Sequence, residues 1–104
     1  MKNTKLRIEN ENIIAQIKKK YSPDKIFLFG SYAKGNARKN SDIDLCLVMN
    51  TTDKRRLLAD LYYNVASEKP IDFLIYTPDE WERCVNDNTS FAYKISCSGV
   101  VLHG

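Results

Sequence analysis

The chain has 104 residues and a formal net charge of +3, and 43% of its residues are hydrophobic while 28% are charged. This length fits one domain with a modest core and leaves no room for a separate substrate-binding domain. The small excess of positive charge does not indicate a nucleic-acid-binding protein, whose basic patches are usually denser, so we expect no direct contact with nucleic acid.

The cysteines and the N-terminal residues indicate in which cellular compartment the protein is expected. Three widely spaced cysteines without a C-x-x-C pair argue against a disulfide framework and against a zinc site. The first residues lack the apolar stretch of a signal peptide, and no apolar run approaches the ~20 residues that cross a bilayer. We therefore expect a cytoplasmic protein with no membrane partner. Cys46 lies in an apolar run and is predicted to be a core residue.

Helical and strand patterns alternate along the chain. Apolar residues at helical spacing predict a helix over residues 4–20, which a Ser-Pro-Asp segment ends. Three apolar, β-prone runs predict strands at residues 25–29, 42–49 and 71–76. A turn and loop connect the first two of these strands, and residues 100–102 predict an edge strand or a tail.

The remaining segments predict helices. Residues 52–67 have helical periodicity, with Thr51 or Thr52 as the expected N-cap. The Thr-Pro-Asp-Glu segment that begins at Thr77 combines a capping box with proline at the first helical position, which is a strong helix start. A last short helix is predicted over residues 90–97. This order of elements predicts an α/β (α+β) domain with a mixed sheet and with helices covering one side.

Two carboxylates open the second predicted strand. Asp42 and Asp44 flank a single Ile, and both lie on one face because successive strand side chains point to opposite faces. At roughly 7 Å apart, such carboxylates are unfavourable beside apolar sequence unless a cation lies between them. Mg²⁺ prefers oxygen ligands and binds paired carboxylates together with substrate phosphates. By itself, however, the pair is equally consistent with capping or loop carboxylates.

A Gly-Ser turn and a third aspartate complete the pattern. Gly30 and Ser31 follow the first strand and offer backbone N–H groups and a hydroxyl to a phosphate, although the dipeptide alone fits an ordinary strand-to-helix turn. Asp72 is second in the third strand. Alone, it would be interpreted as a solvated carboxylate near a strand start; beside the Asp pair, we interpret it as part of a metal–nucleotide site.

The pattern G-S-x10-D-x-D, formed by Gly30, Ser31, Asp42 and Asp44, resembles that of the DNA polymerase β-like nucleotidyltransferases. The small size of the chain is similar to that of their minimal nucleotidyltransferase (MNT) branch, and the resemblance covers most of the chain. It implies one minimal nucleotidyltransferase domain over residues 1–104 with a palm-like core.

The resemblance also implies roles for individual residues. The aspartate pair would lie on a central strand, with Asp72 on its neighbour. Asp42, Asp44 and Asp72 would be the catalytic residues and would hold two Mg²⁺ ions. Asp72 would also act as general base on the acceptor hydroxyl.

The phosphate-binding residues follow from the same resemblance. Gly30, Ser31 and Lys34 would bind the triphosphate of ATP. Family members often have Arg at the position of Lys34, and a lysine supplies a point charge rather than a bidentate fork. Arg38 is expected to be solvent-exposed, and His103, next to the last residue, is not expected to act in catalysis.

Resemblance to MNT antitoxins implies Mg²⁺-dependent transfer of AMP from ATP to a tyrosine of a HEPN-type toxin protein, which would silence the toxin. Two alternatives remain. One is a small-molecule nucleotidyltransferase of the antibiotic-modifying type, although these usually carry an extra helical domain. The other is a non-enzymatic antitoxin that acts by binding alone. A template-directed polymerase is disfavoured because the chain has no room for domains that grip nucleic acid.

Overall fold

The computed structural model describes residues 4–38 and 41–104, and within them the side chains from Glu11 onward. Helices and strands alternate as the sequence predicts. In chain order, the elements are α1 (Thr4–Tyr21), β1 (Lys25–Phe29), α2 (Ser31–Lys34), β2 (Ile43–Val48), α3 (Lys54–Asn64), β3 (Ile71–Tyr76), α4 (Pro78–Val85), α5 (Phe91–Ser98) and β4 (Val100–His103).

The strands form one four-stranded sheet in the order β3-β2-β1-β4. β1 pairs antiparallel with β2 and with β4, whereas β2 and β3 are parallel. The parallel pair needs a crossover connection, which α3 supplies. The sheet is therefore mixed, and the α/β fold class predicted from the sequence is confirmed, as is the terminal edge strand.

Helices cover both faces of the sheet. On the first face, here called the α1/α3 face, Leu45 and Leu47 of β2 pack with Ile13 and Ile17 of α1 and with Leu61 of α3. These side chains are almost fully buried, and each such burial contributes about 1.5–3 kcal/mol.

The second face, here called the α4/α5 face, holds a smaller cluster. Cys46 and Val48 of β2 pack there with Trp81 of α4 and Ile95 of α5. The expectation that helices cover one side is wrong in this respect, because the apolar run of β2 presents hydrophobic side chains to both faces and both must be buried. Cys46 is a core residue as predicted, and burial raises the pKa of its thiol to about 12.

Local capping fixes where the helices start. Thr77 and Glu80 form the predicted capping box of α4: the Glu80 N–H donates to the Thr77 hydroxyl (3.3 Å), and the Thr77 N–H donates to Glu80 Oε1 (3.0 Å). The N-cap of α3 is Asp53, which accepts from the Arg56 N–H (3.1 Å), so the predicted cap at Thr51 or Thr52 is wrong. An aspartate caps a helix as well as a threonine does, and local sequence did not separate the candidates.

Long-range contacts tie the helices to one another. The Gln16 side chain of α1 donates to the Ala66 carbonyl (3.0 Å) and accepts from the Ala66 N–H (2.9 Å), just after α3. Lys54 and Glu80 form an ion pair (2.5 Å) that joins the first turns of α3 and α4. Within the described part of the chain, none of the helices combines the length and the apolar character needed to cross a membrane.

Candidate functional site

Two aspartates lie side by side on the parallel strands. Asp44 is the second residue of β2, Asp72 is the second residue of β3, and the two are register partners. The Ile43 N–H donates to the Pro70 carbonyl (2.9 Å), which fixes this register at the start of both strands. Neighbouring strands lie about 4.8 Å apart, so the two carboxylates are close neighbours.

Side-chain alternation assigns these carboxylates to the α4/α5 face. Their neighbours Ile43 and Ile71 are buried in the cluster on the opposite face, and so are Leu45 and Phe73. Asp72 is exposed and Asp44 is half-buried. The α4/α5 cluster begins at the next strand residues that point to this face, two positions further along the chain. The carboxylates therefore lie at the solvent-accessible end of that face.

The charge on Asp44 is unfavourable in this setting. Its pKa is raised, first by partial burial and then by repulsion from the carboxylates of Asp72 and Asp42. Among the described residues, no Lys or Arg forms an ion pair with any of the three. A cation bound between the carboxylates would relieve this repulsion.

Asp42 lies outside the strand. It is exposed and comes directly before β2, which begins at Ile43, so the prediction that it lies on the strand is wrong by one residue. The pairing of β2 with β3 begins at Ile43, whose N–H donates to the carbonyl of the residue before β3. Asp42 nevertheless remains close enough to raise the pKa of Asp44, which brings all three predicted carboxylates into one region.

Gly30 makes room for a site carboxylate. It precedes α2 with φ 77° and ψ −152°, a conformation that is essentially restricted to glycine. A Cβ at this position would overlap the Asp44 Oδ2 and would lie 3.1 Å from its Cγ. The sequence suggested that the backbone at Gly30 binds a phosphate. The structure adds that the Asp44 carboxylate occupies the space that a side chain would need.

Ser31 and Lys34 belong to the short helix α2, which follows Gly30. β1 ends where β2 and β3 begin, so this turn lies at the same end of the sheet as the carboxylates. The half-buried Ser31 hydroxyl forms no hydrogen bond with a described residue and is available to a ligand. Lys34 is exposed at the end of α2. The structure thus brings the predicted turn and the predicted carboxylates together.

The donor set suits a metal that binds together with a substrate. Within residues 4–38 and 41–104, no three His, Cys, Asp or Glu side chains converge into a ready-made metal cage. Mg²⁺ typically retains several waters and takes one or two carboxylates plus substrate phosphates. Open, mutually repelling carboxylates beside the Gly-Ser turn fit such a shared site, and do not fit a structural metal.

Sequence reasoning missed two aromatic contributions near the carboxylates. The Tyr62 hydroxyl accepts from the Phe73 N–H (3.1 Å), which closes the outer edge of β3 directly after Asp72. Phe29, the last residue of β1, is the register partner of Asp44 and packs against Phe91. Both contacts join residues distant in sequence, so no local signal could have revealed them.

The two other candidate residues considered, Arg38 and His103, are peripheral. Arg38 is exposed, as expected, and its backbone N–H donates to the Ser41 hydroxyl (2.8 Å). The His103 ring Nε2 donates to the Pro23 carbonyl (3.1 Å) near the start of β1, at the opposite end of the sheet. His103 therefore stabilises the attachment of β4 and is remote from the carboxylates.

Comparison with known proteins bears on the family and the fold. The model of the nucleotidyltransferase domain family matches residues 11–97, which include every candidate site residue. The fold is similar to the crystal structure of a protein from Sulfolobus solfataricus that was inferred to be a nucleotidyltransferase. The TM-score is 0.59 at 17% identity, over 93% of this chain and 78% of that chain, which shows a shared fold. No curated protein matches this sequence.

Proposed function

Because the chain belongs to the nucleotidyltransferase domain family, we propose that it transfers AMP from ATP to an acceptor hydroxyl with the help of Mg²⁺. The observation that carries this proposal is the row of Asp44 and Asp72 in register, with Gly30 packed against Asp44. The carboxylates and the Gly-Ser turn lie at one end of the sheet, which supports the binding of nucleotide and acceptor there.

Each site residue has a task in this reaction. Asp42 and Asp44, together with Asp72, would hold the metal ions. When bound, Mg²⁺ supplies charge neutralisation for the triphosphate and polarises the α-phosphorus towards in-line attack. The backbone at Gly30 and the Ser31 hydroxyl bind the β- and γ-phosphates, since both follow directly on the strand beside Asp44.

The position of Asp72 supports a role in activating the acceptor. It lies on β3, on the far side of Asp44 from the Gly-Ser turn, and it is exposed. An acceptor hydroxyl can therefore approach it while the phosphates occupy the turn. In this role a carboxylate oxygen of Asp72 accepts the proton of the attacking hydroxyl, and the new bond forms as pyrophosphate leaves.

A tyrosine of a HEPN-type toxin protein is the proposed acceptor. The exposure of Asp72 supports a macromolecular acceptor, because a side chain presented on another protein can reach a carboxylate at the surface. A small-molecule acceptor would need a pocket that surrounds it, and the described residues provide no second layer over Asp72 on this face.

The test is a transfer assay with a co-purified HEPN-type partner, ATP and Mg²⁺. Intact-mass spectrometry should show a partner carrying one AMP, and peptide mapping should place it on a tyrosine. The Asp44→Asn variant serves as the matched control and should give no addition. Complex formation that silences the partner without any added AMP would instead support binding alone and contradict the proposed transfer.

A further inference from the structure

An aromatic pair stands beside the carboxylates on the α4/α5 face. Phe29 is the register partner of Asp44, so its ring continues the row that Asp72 and Asp44 begin. Phe91, the first residue of α5, packs edge-on against Phe29 with ring centroids 5.4 Å apart and an interplanar angle of 84°. Phe91 remains 51% exposed.

The other aromatic residues of this face are engaged elsewhere. Phe27 stacks on Trp81 with centroids 4.9 Å apart, and Tyr76 packs edge-on against the same Trp81 at 5.4 Å. These rings lie further along the strands, away from the carboxylates. Tyr32 packs against the cluster on the α1/α3 face. Within the described chain, the Phe29–Phe91 pair lies beside the carboxylate row on the β1 side, whereas Tyr62 lies at the β3 edge next to Asp72.

A single exposed phenylalanine is ordinary on a protein surface, so the exposure of Phe91 alone does not indicate a binding site. The position of Phe91 is more informative. Phe29 lies one strand spacing of about 4.8 Å from Asp44, and the Phe91 ring packs on Phe29 at 5.4 Å. The Phe91 ring therefore lies within roughly 10 Å of Asp44. A nucleotide whose α-phosphate lies at Asp44 can reach this ring with its base.

We propose that Phe91, supported by Phe29, is the surface on which the nucleobase stacks. This inference rests on the proposed function, because it assumes that the triphosphate is held at the Gly-Ser turn. Every base has a π-face, so stacking on a phenylalanine adds affinity with little discrimination between bases. Phe91 would therefore strengthen the binding of ATP and of GTP to a similar degree.

The experiment separates base binding from phosphate binding. Calorimetric titrations in Mg²⁺ compare ATP, GTP and inorganic tripolyphosphate for the full chain and for Phe91→Ala. We expect the variant to bind ATP and GTP on the order of 10- to 100-fold more weakly, the range found when one base–aromatic stack is removed. Its affinity for tripolyphosphate should stay unchanged.

Three further variants keep the result interpretable. Tyr63→Ala removes an aromatic ring that is 89% exposed on α3 and should leave all three affinities unchanged. Phe91→Tyr retains the ring and should retain ATP affinity, whereas Phe91→Leu retains apolar bulk without a π-face and should lose most of it. If Phe91→Ala proves poorly folded, Phe91→Leu still tests whether the aromatic ring of Phe91 binds the nucleobase.

Several results would overturn the inference. An equal loss of tripolyphosphate affinity in Phe91→Ala would mean that the ring only supports the fold of the turn. Unchanged ATP affinity together with slower transfer to the protein acceptor would assign Phe91 to the acceptor instead. If the wild-type chain binds ATP and Phe91→Ala binds it equally well, only this inference fails. If the wild-type chain binds neither ATP nor tripolyphosphate, the proposed function fails as well.

Discussion

The two faces of the sheet differ most where β2 and β3 begin. On the α1/α3 face, Ile43 and Ile71 are 0% and 8% exposed and belong to the larger core cluster. On the α4/α5 face, the next residue of each strand is an aspartate, and both carboxylates remain accessible. One stretch of backbone thus supports a core on one side and a charged site on the other.

At this end of the sheet, side-chain alternation separates the buried isoleucines of one face from the accessible carboxylates of the other. The α1/α3 face fixes the register of β2 against β3, since a slip by one residue would exchange buried isoleucines for carboxylates. The same register aligns Asp44 with Asp72. Substitutions on the two faces should therefore have different consequences, and we order them by the size of the expected effect.

The largest effect should come from the carboxylate face. Asp44→Asn, and equally Asp42→Asn, should lower transfer by at least ~100-fold, because the metal interaction contributes several kcal/mol to the transition state. The fold should stay intact, as judged by circular dichroism and thermal melting. Leu45→Ala on the opposite face is the matched control. It should lose about 2–5 kcal/mol of stability, while the protein that remains folded should still transfer AMP. Near-wild-type transfer by Asp44→Asn would contradict the proposal that the carboxylate face carries the reaction.

If Asp72 is mainly the general base and contributes less to metal binding than Asp44, Asp72→Asn should separate chemistry from binding. The transfer rate should fall by about 10²–10⁴-fold, as is typical when a general base is removed, while the affinity for Mg²⁺–ATP stays close to that of the wild type. A tyrosine hydroxyl has a pKa near 10, so raising the pH should partly restore the rate if the acceptor is tyrosine. A loss of nucleotide affinity as large as that of Asp44→Asn would mean that Asp72 is chiefly a metal ligand.

Two glycines of the turn should respond differently to alanine. Gly30→Ala should lose about 1–3 kcal/mol of stability from backbone strain, and it should also weaken ATP binding because the new Cβ displaces the Asp44 carboxylate. Gly35 has φ 77° and ψ 15°, and a Cβ added there would meet no neighbouring atom within 4 Å. Gly35→Ala should lose about 1–2 kcal/mol and retain ATP affinity. Equal ATP affinities in the two variants would contradict the contact between Gly30 and Asp44.

The smallest effect concerns stability without metal. The raised pKa of Asp44 means that folding favours its protonated form, so its ionisation lowers stability as the pH rises through the raised value. In EDTA at pH 7, Asp44→Asn should therefore be more stable than the wild type. Because Asp44 is only partly buried, solvent screens the repulsion and the gain should stay below about 1 kcal/mol. The gain should shrink as the pH falls towards ~4, the ordinary range of aspartate. Denaturant titrations across this pH range would measure it, and a wild type that is more stable at pH 7 would contradict the sign.

Features with local causes could be predicted from the sequence. The strand at 25–29 follows from its apolar run, and the start of α4 follows from the capping box of Thr77 and Glu80. The cap of α3 could not be predicted, because Thr51, Thr52 and Asp53 are chemically similar choices. The apolar run of β2 implies that both faces of the sheet are buried. Which helices cover the second face became clear only from the packing of α4 and α5.

Some features of the site could likewise be predicted from the sequence, and others could not. Spacing and family resemblance together predicted Asp44, Asp72 and the Gly-Ser turn, and the structure brings them to one end of the sheet. The contact of Gly30 with Asp44 and the position of Phe91 depend on register and on helix packing, which no local pattern encodes. The roles of these residues in binding and catalysis stay predictions that the experiments above address.

The central claim is that the carboxylate end of the α4/α5 face is a metal–nucleotide site. Calorimetric titration of ATP into the wild-type chain, with Mg²⁺ and with EDTA, tests it most directly. Without metal, the carboxylates of Asp42, Asp44 and Asp72 repel the triphosphate, so binding should require Mg²⁺ and should be lost in Asp44→Asn. Equal ATP affinity in Mg²⁺ and in EDTA would contradict the account.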